Sequence, residues 1–184
     1  MTGVMVGNAQ AVLDLTESGD TTASVPSFRV FYAAHHSELT RALTFGLGDP
    51  ELGADAASEA FIKACQRWAT VGTLDRPAGW VYRVGLNWGR SVLRRRRREK
   101  AKTALLARDD ISEDTWPDID LARALADLSD DHRDVVVARF FLDWTVEHTA
   151  AALDIAPGTV KSRLSRALDQ LHTRLTIPTE TPEG

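Results

Sequence analysis

The sequence predicts an all-α protein made of two small helical bundles joined by a flexible acidic linker. Apolar residues recur at helical spacing through residues 27–98 and again through 119–175. We find no apolar–polar alternation of useful length for a β-strand. Between the two helical segments, residues 99–118 are acidic, contain Pro117 and lack a sustained apolar stripe. The 184 residues are enough for one ordinary domain or two small ones.

Composition excludes several classes of protein. The chain is 43% hydrophobic and 26% charged, with a formal net charge of −4, which is typical of a globular domain. No run approaches the roughly 18–20 apolar residues that span a bilayer, and the N-terminus lacks the features of a secretory signal. With Cys65 as its single cysteine, the chain can form neither an internal disulfide nor a Cys-based zinc site. The five histidines are scattered, so we expect no metal, no cofactor and a cytoplasmic location.

The first half predicts a polar arm followed by helices. Residues 1–26 are rich in Thr, Ser, Gly and Asp, so we expect a disordered N-terminal arm. A first helix over 27–46 stops in the segment "GLGDP", where glycines and a proline break it. A second helix covers roughly 51–68, and residues 69–78 form a loop.

A third helix begins at Pro77, which suits a first helical turn, and continues through five consecutive arginines to Arg98. At about 100° per residue, its apolar stripe consists of Val81, Val84, Trp88 and Val92. A second stripe consists of Trp80, Arg83, Asn87, Arg90 and Arg94. Gly85 and Gly89 form a smooth patch at i,i+4 spacing, which indicates close packing by a neighbouring helix.

The second stripe has two interpretations. It can be an ordinary solvated face, as most amphipathic helices have. However, it contains no acidic residue and continues through Arg97 and Arg98, so its cations repel one another without relief. Arginines with an asparagine and an aromatic residue suit nucleic acid, whose phosphates and bases they can contact.

The second half has the layout of a helix-turn-helix. A short helix covers about 145–153, "LDIAPG" forms the turn, and a longer helix covers about 158–175. The buried stripe of the longer helix consists of Val160, Leu164, Leu168, Leu171 and Leu175. Its opposite arc contains Thr159, Ser162, Arg163 and Arg166, with Lys161 at the margin. These side chains suit contacts in a DNA major groove, although an ordinary helical hairpin with a basic face would look similar.

Two supporting helices precede this unit, and a polar tail follows it at 176–184. The core of the supporting helices is predicted to include Val136, Val137, Phe140 and Phe141.

Both halves together resemble the extracytoplasmic-function (ECF) group of sigma factors in the sigma-70 superfamily of bacterial RNA polymerase subunits. The resemblance covers about Phe28 to Leu175 and rests on four segments in order. "DAASEAFIKACQRW" resembles the helix that grips the polymerase clamp, and "WVYRVGLNWGRSVLRRRRR" resembles the segment that reads the −10 promoter element. "LADLSDDHRDVVVARFFLDWT" and "PGTVKSRLSRALDQL" resemble parts of region four.

The resemblance implies a role for each surface. Residues 27–98 would be region two and residues 119–175 region four. The −10 element would be held by loop 69–78, which captures a flipped base, and by Trp80, Arg83, Asn87, Arg90, Arg94, Arg97 and Arg98. The −35 element would be read by Thr159, Lys161, Ser162, Arg163 and Arg166. Core polymerase would bind an exposed acidic and aromatic surface at Asp55, Glu59 and Phe61.

The sequence also departs from the family pattern. Ser129 stands where proline is usual, and His148 and Thr149 replace a usual Glu-Ile pair. Asp154 replaces the turn glycine and has to tolerate a left-handed conformation. Thr149 would place a hydroxyl in the core unless it bonds back to a carbonyl.

The resulting hypothesis is a promoter-specificity subunit that is not an enzyme. It would bind core RNA polymerase and promoter DNA, both duplex and single-stranded, with an anti-sigma factor as a further partner and no small-molecule substrate. The alternative is a stand-alone helix-turn-helix regulator, which would need neither a clamp-binding helix nor a single-strand surface. An enzyme finds little support, because the clustered carboxylates Asp109, Asp110, Glu113 and Asp114 lie in the predicted linker.

Overall fold

The computed structural model describes residues 27–102 and 119–175. Within these ranges the chain forms helices and no strand, as predicted. The helices are α1 (Phe28–Leu47), α2 (Pro50–Gln66), α3 (Trp68–Val71), α4 (Pro77–Lys102), α5 (Ile119–Ala126), α6 (Asp130–Phe140), α7 (Val146–Leu153) and α8 (Pro157–Leu175). The predicted N-terminal arm, most of the predicted linker and the polar tail lie outside the described residues.

Local sequence signals explain where the helices begin. The Asp49 side chain accepts a hydrogen bond of 2.9 Å from the Leu52 backbone N–H at the start of α2, where Pro50 takes the first helical position. Two boundaries differ from prediction. The predicted loop 69–78 begins with the single-turn helix α3, and α4 extends into residues that were predicted to belong to the linker.

The N-terminal bundle consists of α1, α2 and α4, and glycines allow its helices to pack closely. A Cβ atom placed on Gly85 would lie 2.7 Å from Leu43 Cδ1, and one on Gly89 would lie 2.4 Å from Leu47 Cδ1. Gly85 and Gly89 of α4 therefore leave space for side chains of α1, which confirms the prediction of close helix packing.

The buried face of α4 is rotated from the predicted stripe. Val81 is buried as expected, but Tyr82 and Leu86 are also buried, whereas Val84 and Trp88 are half-buried. The reason is that α4 packs against α1 and α2 on one side and against α7 on another. A helix with two packed sides buries residues that a single-stripe analysis assigns elsewhere.

The C-terminal bundle consists of α5 to α8, with α6 and α7 packed against α8. Val160 and Ala167 are its fully buried residues on α8, while Leu168 is 41% exposed, so the prediction that Leu168 belongs to the core is wrong. Phe140, predicted as core, is 61% exposed because it ends α6 at the point where the chain turns. Phe141 is the phenylalanine that packs inward.

The two bundles pack against each other in this structure. The Phe45 and Phe141 rings lie 4.6 Å apart between centroids, and the Tyr82 and Trp144 rings meet edge to face at 5.5 Å. The first residue of each pair belongs to the N-terminal bundle and the second to the C-terminal bundle. A continuous apolar core therefore crosses the boundary between the predicted domains.

None of the helices described is long and apolar enough to cross a membrane. Across residues 27–102 and 119–175, no group of three or more His, Cys, Asp or Glu side chains is arranged to hold a metal ion.

Candidate nucleic-acid interface

The polar stripe of α4 forms a ridge whose far end is exposed. Arg94, Arg97 and Arg98 are exposed, as is Asn87. The Arg98 Nε–H donates to the Arg94 carbonyl at 3.3 Å, so successive turns of the ridge are linked. The α4 helix thus presents cationic side chains near its C-terminal end, where the helix dipole favours positive charge.

The near end of the ridge faces carboxylates of the C-terminal bundle. Arg83 Nη1 lies 3.7 Å from Asp154 Oδ2, and Arg90 Nη2 donates to Asp134 Oδ2. Burial raises the pKa of Asp134 to about 6, against the opposing effect of the Arg90 cation. Two predicted DNA-contacting arginines are therefore paired with acids of their own chain.

A polar cleft of about 610 Å³ separates the two bundles at this point. Trp80, Arg83, Asn87 and Arg90 line one side of the cleft, whereas Asp131, Asp134, Asp154 and Arg163 line the other. Trp80 is half-buried and packs against the core, rather than standing out as an exposed indole.

The segment predicted to capture a base borders a second cavity, of about 680 Å³, whose lining includes Phe31, Gly72, Asp75, Arg76 and His148. The Arg76 Nη1–H donates to His148 Nδ1 at 2.8 Å, and the His148 ring stacks on Trp144 with centroids 4.2 Å apart. Burial, with a smaller contribution from the Arg76 cation, lowers the pKa of His148 to about 4. His148 is therefore neutral at pH 7 and closes one wall of this cavity.

The turn of the helix-turn-helix forms as its residues predict. Asp154 has φ 59° and ψ 48°, so it takes the left-handed conformation expected of the residue that replaces the family's glycine. Thr145 accepts a hydrogen bond of 3.1 Å from the His148 backbone N–H and caps α7. Thr149 is fully buried, and its Oγ1 has no hydrogen-bond partner within the described residues, so it places a hydroxyl in the core without a bond back to a carbonyl.

The polar arc of α8 is largely open to solvent. Lys161, Ser162 and Arg166 are exposed, and Thr159 is half-buried. Arg163 differs from them, because its Nη2 lies 2.6 Å from Asp131 Oδ2 on α6. This carboxylate holds the guanidinium at the edge of the interbundle cleft.

The three predicted polymerase-binding residues of α2 differ in how far they are buried. Asp55 is exposed, and Glu59 is half-buried and pairs with Lys63 at 3.0 Å. Phe61 is only 1% exposed, so the prediction of an exposed aromatic surface at Phe61 is wrong. Its ring lies 5.0 Å from Tyr32 and 6.0 Å from Phe31 between centroids, inside the aromatic cluster of the N-terminal bundle.

Sequence reasoning missed the acids that face the ridge. Asp134 is 4% exposed and belongs to α6, and its Oδ1 has no hydrogen-bond partner within the described residues. Asp134 directly precedes the apolar run "VVVA", but this position did not mark it as buried, because aspartate is almost never fully buried unless it is paired. Its partner Arg90 lies 44 positions earlier in the chain and could not be identified from spacing.

Comparison with known proteins finds the same family for the N-terminal and C-terminal bundles. The family described as "Sigma-70, region 4" matches residues 124–173. The chain is 31% identical over 171 residues to the ECF RNA polymerase sigma factor SigL of Mycobacterium tuberculosis, covering 87% of this chain and 94% of that protein. It is 30% identical over 154 residues to the RNA polymerase sigma-E factor of Streptomyces coelicolor, covering 82% and 87%.

Solved structures show the same fold. The sigma factor RpoE of Bartonella quintana, solved in complex with the anti-sigma factor NepR, gives a TM-score of 0.69 at 22% identity, covering 82% of this chain and 98% of that chain. The structure of CnrH in complex with the cytosolic domain of CnrY gives 0.58 at 23% identity, covering 91% and 94%.

Proposed function

Because this chain belongs to the ECF group of RNA polymerase sigma factors, we propose that its two bundles divide promoter recognition between them. The protein is a promoter-specificity subunit of bacterial RNA polymerase. The observation that carries this function is likeness to a named sigma factor over 94% of that protein's length, which includes both bundles. Sigma factors regulate transcription without catalysis of their own, and the proposal assigns no catalytic residue.

The N-terminal bundle, residues 27–98, takes the −10 element. Loop 69–78 receives a flipped base, and the ridge of α4 holds the single strand through Trp80, Arg83, Asn87, Arg90, Arg94, Arg97 and Arg98. Guanidinium groups bind phosphates in bidentate geometry, and an indole offers a face on which a base stacks. The acid-free ridge and the cavity beside the loop support this assignment.

The C-terminal bundle, residues 119–175, takes the −35 element as duplex. Thr159, Lys161, Ser162, Arg163 and Arg166 face the major groove, with the hydroxyls and cations near the N-terminal half of α8. The left-handed turn at Asp154 and the exposure of Lys161, Ser162 and Arg166 support this role.

Core polymerase binds the outer face of α2. Asp55 and Glu59 supply its charges, and Phe61 acts from the interior by packing α2 against α1. An anti-sigma factor is a further proposed partner, supported by the two structural neighbours that were solved with such factors. The proposed location is the cytoplasm, on the nucleoid once the holoenzyme has formed.

Run-off transcription with purified core polymerase and a promoter library tests the function. We expect the protein to direct initiation from a defined subset of promoters. If the protein directs no initiation but retards duplex DNA by itself in a gel-shift assay, it is a stand-alone regulator and the proposed promoter-recognition roles of both bundles are wrong.

A pair of neighbouring arginines tests the −10 ridge. Arg94→Ala removes a ridge cation, whereas Arg95→Ala removes an exposed cation on another side of α4, where it pairs with Glu99 at 3.8 Å. We expect Arg94→Ala to reduce open-complex formation several-fold with core binding unchanged, and Arg95→Ala to leave both near wild type. Equal losses in the two variants would show that the ridge was wrongly assigned.

A further inference from the structure

The arginine run of α4 does not present all of its cations on one side of the helix. At about 100° per residue, Arg96 lies about 160° around the helix from both Arg94 and Arg98. Arg96 comes about two turns after Gly89, so these two residues fall on the same side of α4. That is the side on which Gly89 leaves space for Leu47 of α1. Arg96 therefore extends the packed side of the helix, opposite the ridge.

The Arg96 guanidinium binds the turn between α1 and α2. Its Nη1–H donates to Asp49 Oδ2 at 3.1 Å, and the two side chains are 48% and 30% exposed. The neighbouring Arg95 differs, because its ion pair is with Glu99 of the same helix. Of these two neighbours, Arg96 joins α4 to another helix and Arg95 does not.

The Asp49 carboxylate is held in place by the local backbone. Its Oδ1 accepts from the Leu52 N–H at 2.9 Å and caps α2, which leaves Oδ2 for Arg96. The preceding Gly48 takes the left-handed conformation with φ 69°, and its N–H donates to the Thr44 carbonyl at 3.0 Å, which closes α1. A single carboxylate thus begins α2 and binds α4.

The last turns of α4 extend beyond the core of the N-terminal bundle. Val92 and Leu93 are half-buried against that core, whereas residues 94–99 are all exposed. A helix end that buries little apolar area frays readily, because helices in proteins are stabilised mainly by the packing of an apolar face. A side-chain bond from Arg96, within this exposed segment, is therefore placed to fix the direction of the helix end.

We propose that Arg96 is a positioning residue that holds the DNA-facing ridge of α4 through Asp49. Arg96 contacts no DNA itself, since its guanidinium lies on the side opposite the ridge and binds the carboxylate. The bond also fixes the ridge relative to α2, the helix whose outer face is proposed to bind core polymerase. The inference rests on the proposed DNA-binding roles of Arg94, Arg97 and Arg98.

Open-complex formation by the holoenzyme tests the arginine. Arg96→Ala removes the bond to Asp49, and Arg95→Ala removes an equal charge from the next position, so that long-range attraction to phosphate is matched. On a promoter selected from the library, we expect Arg96→Ala to reduce open-complex formation about three- to fivefold, as befits a partly exposed ion pair. Core binding should be unchanged, and Arg95→Ala should remain near wild type. Equal losses in the two variants would show that Arg96 contributes charge alone.

The acid allows a test in which two explanations predict opposite signs. Asp49→Ser keeps an oxygen that caps α2 but is too short to reach Arg96. Removal of a negative charge near a DNA surface should favour DNA binding by electrostatics alone, whereas loss of the bond to Arg96 should reduce open-complex formation about three- to fivefold. Glu51→Gln, which removes an exposed acid from the first turn of α2, is the control and should remain near wild type. A gain or no change in Asp49→Ser would overturn the proposal.

The double variant Arg96→Ala/Asp49→Ser tests whether the two residues act through each other. We expect it to form open complexes no less well than the weaker of the two single variants, because both remove the same bond. Multiplied losses, or losses that accompany reduced core binding, would contradict a positioning role for the pair.

A measurement without DNA separates this inference from the proposed function. Backbone amides of residues 94–99 should exchange hydrogen about two- to threefold faster in Arg96→Ala and Asp49→Ser than in wild type, but not in Arg95→Ala. Unchanged exchange in the first two variants would refute the inference even if transcription is intact. Failure of the wild-type holoenzyme to initiate from any promoter would instead refute the proposed function.

Discussion

We expect replacement of Arg133 to remove much of the stability of the C-terminal bundle, and the contacts of the Arg133 side chain indicate how much. Arg133 is 8% exposed, and its guanidinium donates to the Leu125 carbonyl at 3.0 Å and to the Leu128 carbonyl at 3.1 Å. The Leu125 carbonyl, in the last turn of α5, also accepts from the Leu128 backbone N–H at 3.1 Å. The Leu128 carbonyl lies just beyond the end of the helix, where backbone acceptors lack helical donors. Arg133 therefore joins the end of α5 to α6.

Each hydrogen bond from a charged donor contributes about 1.5–3 kcal/mol. Burial lowers the pKa of the Arg133 guanidinium, which shows that part of this gain offsets the cost of desolvation. The exposed Asp130, 3.5 Å away, adds less than about 1 kcal/mol. We expect Arg133→Met to lower the free energy of unfolding by about 3 kcal/mol, a large part of the 5–15 kcal/mol typical of a domain.

Urea denaturation followed by far-UV circular dichroism measures the change. Methionine keeps much of the side-chain volume, so the loss reports on hydrogen bonding, whereas Arg133→Ala adds a cavity and is expected to cost more. Arg166→Ala, at an exposed position, is the control and should lie within about 0.5 kcal/mol of wild type. A loss below about 1 kcal/mol for Arg133→Met would refute the role of the two carbonyl bonds.

Three further changes test other features of the structure. Thr149→Val should raise the free energy of unfolding by about 1 kcal/mol in urea titrations, because it removes a buried hydroxyl that has no partner; a loss would mean that the hydroxyl is satisfied. Gly53→Ala should lower the free energy of unfolding by about 1–3 kcal/mol, because the new Cβ would lie 2.4 Å from Thr44 Cα, a backbone atom that cannot move aside as a flexible side chain can. An unchanged melting temperature would contradict the close crossing of α1 and α2. Between pH 4 and 6, the free energy of unfolding of wild type relative to Asp134→Asn should fall as pH rises. The reason is that burial raises the pKa of Asp134 to about 6, so the unfolded chain loses this proton at a lower pH than the folded chain. Parallel pH profiles of the two proteins would show that the pKa of Asp134 is not raised in the folded state.

Features that depend on neighbours along the chain could be predicted from the sequence. The starts of α2 and α4 follow from Asp49-Pro50 and Pro77, and the left-handed turn at Asp154 was expected because Asp154 replaces the turn glycine of the family that the sequence resembles. The close packing at Gly85 was also predictable, because a glycine in mid-helix costs about 1 kcal/mol unless something needs the space. These effects act within one helix or one turn.

Burial at the level of the whole chain could not be predicted in the same way. Phe61 was expected at the surface and is buried in an aromatic cluster, whereas Phe140 was expected in the core and is exposed. Helical periodicity identifies the apolar side of a helix, but it does not say how many neighbours the helix has. Helix α4, packed on two sides, buries Tyr82 for this reason.

The sequence by itself determined the all-α class, the order of the helices, the helix-turn-helix and the acid-free ridge of α4, because each depends on side chains only a few positions apart. Only the tertiary structure decided what that ridge faces. The pairing of Arg90 with Asp134 joins residues 44 positions apart, and that of Arg163 with Asp131 joins residues 32 positions apart. The Arg90–Asp134 pair forms where packing of the two bundles removes water from the Asp134 carboxylate, and a buried charge requires a partner. Arg163 and the exposed Asp131 are instead brought together by the packing of α8 against α6 within the C-terminal bundle.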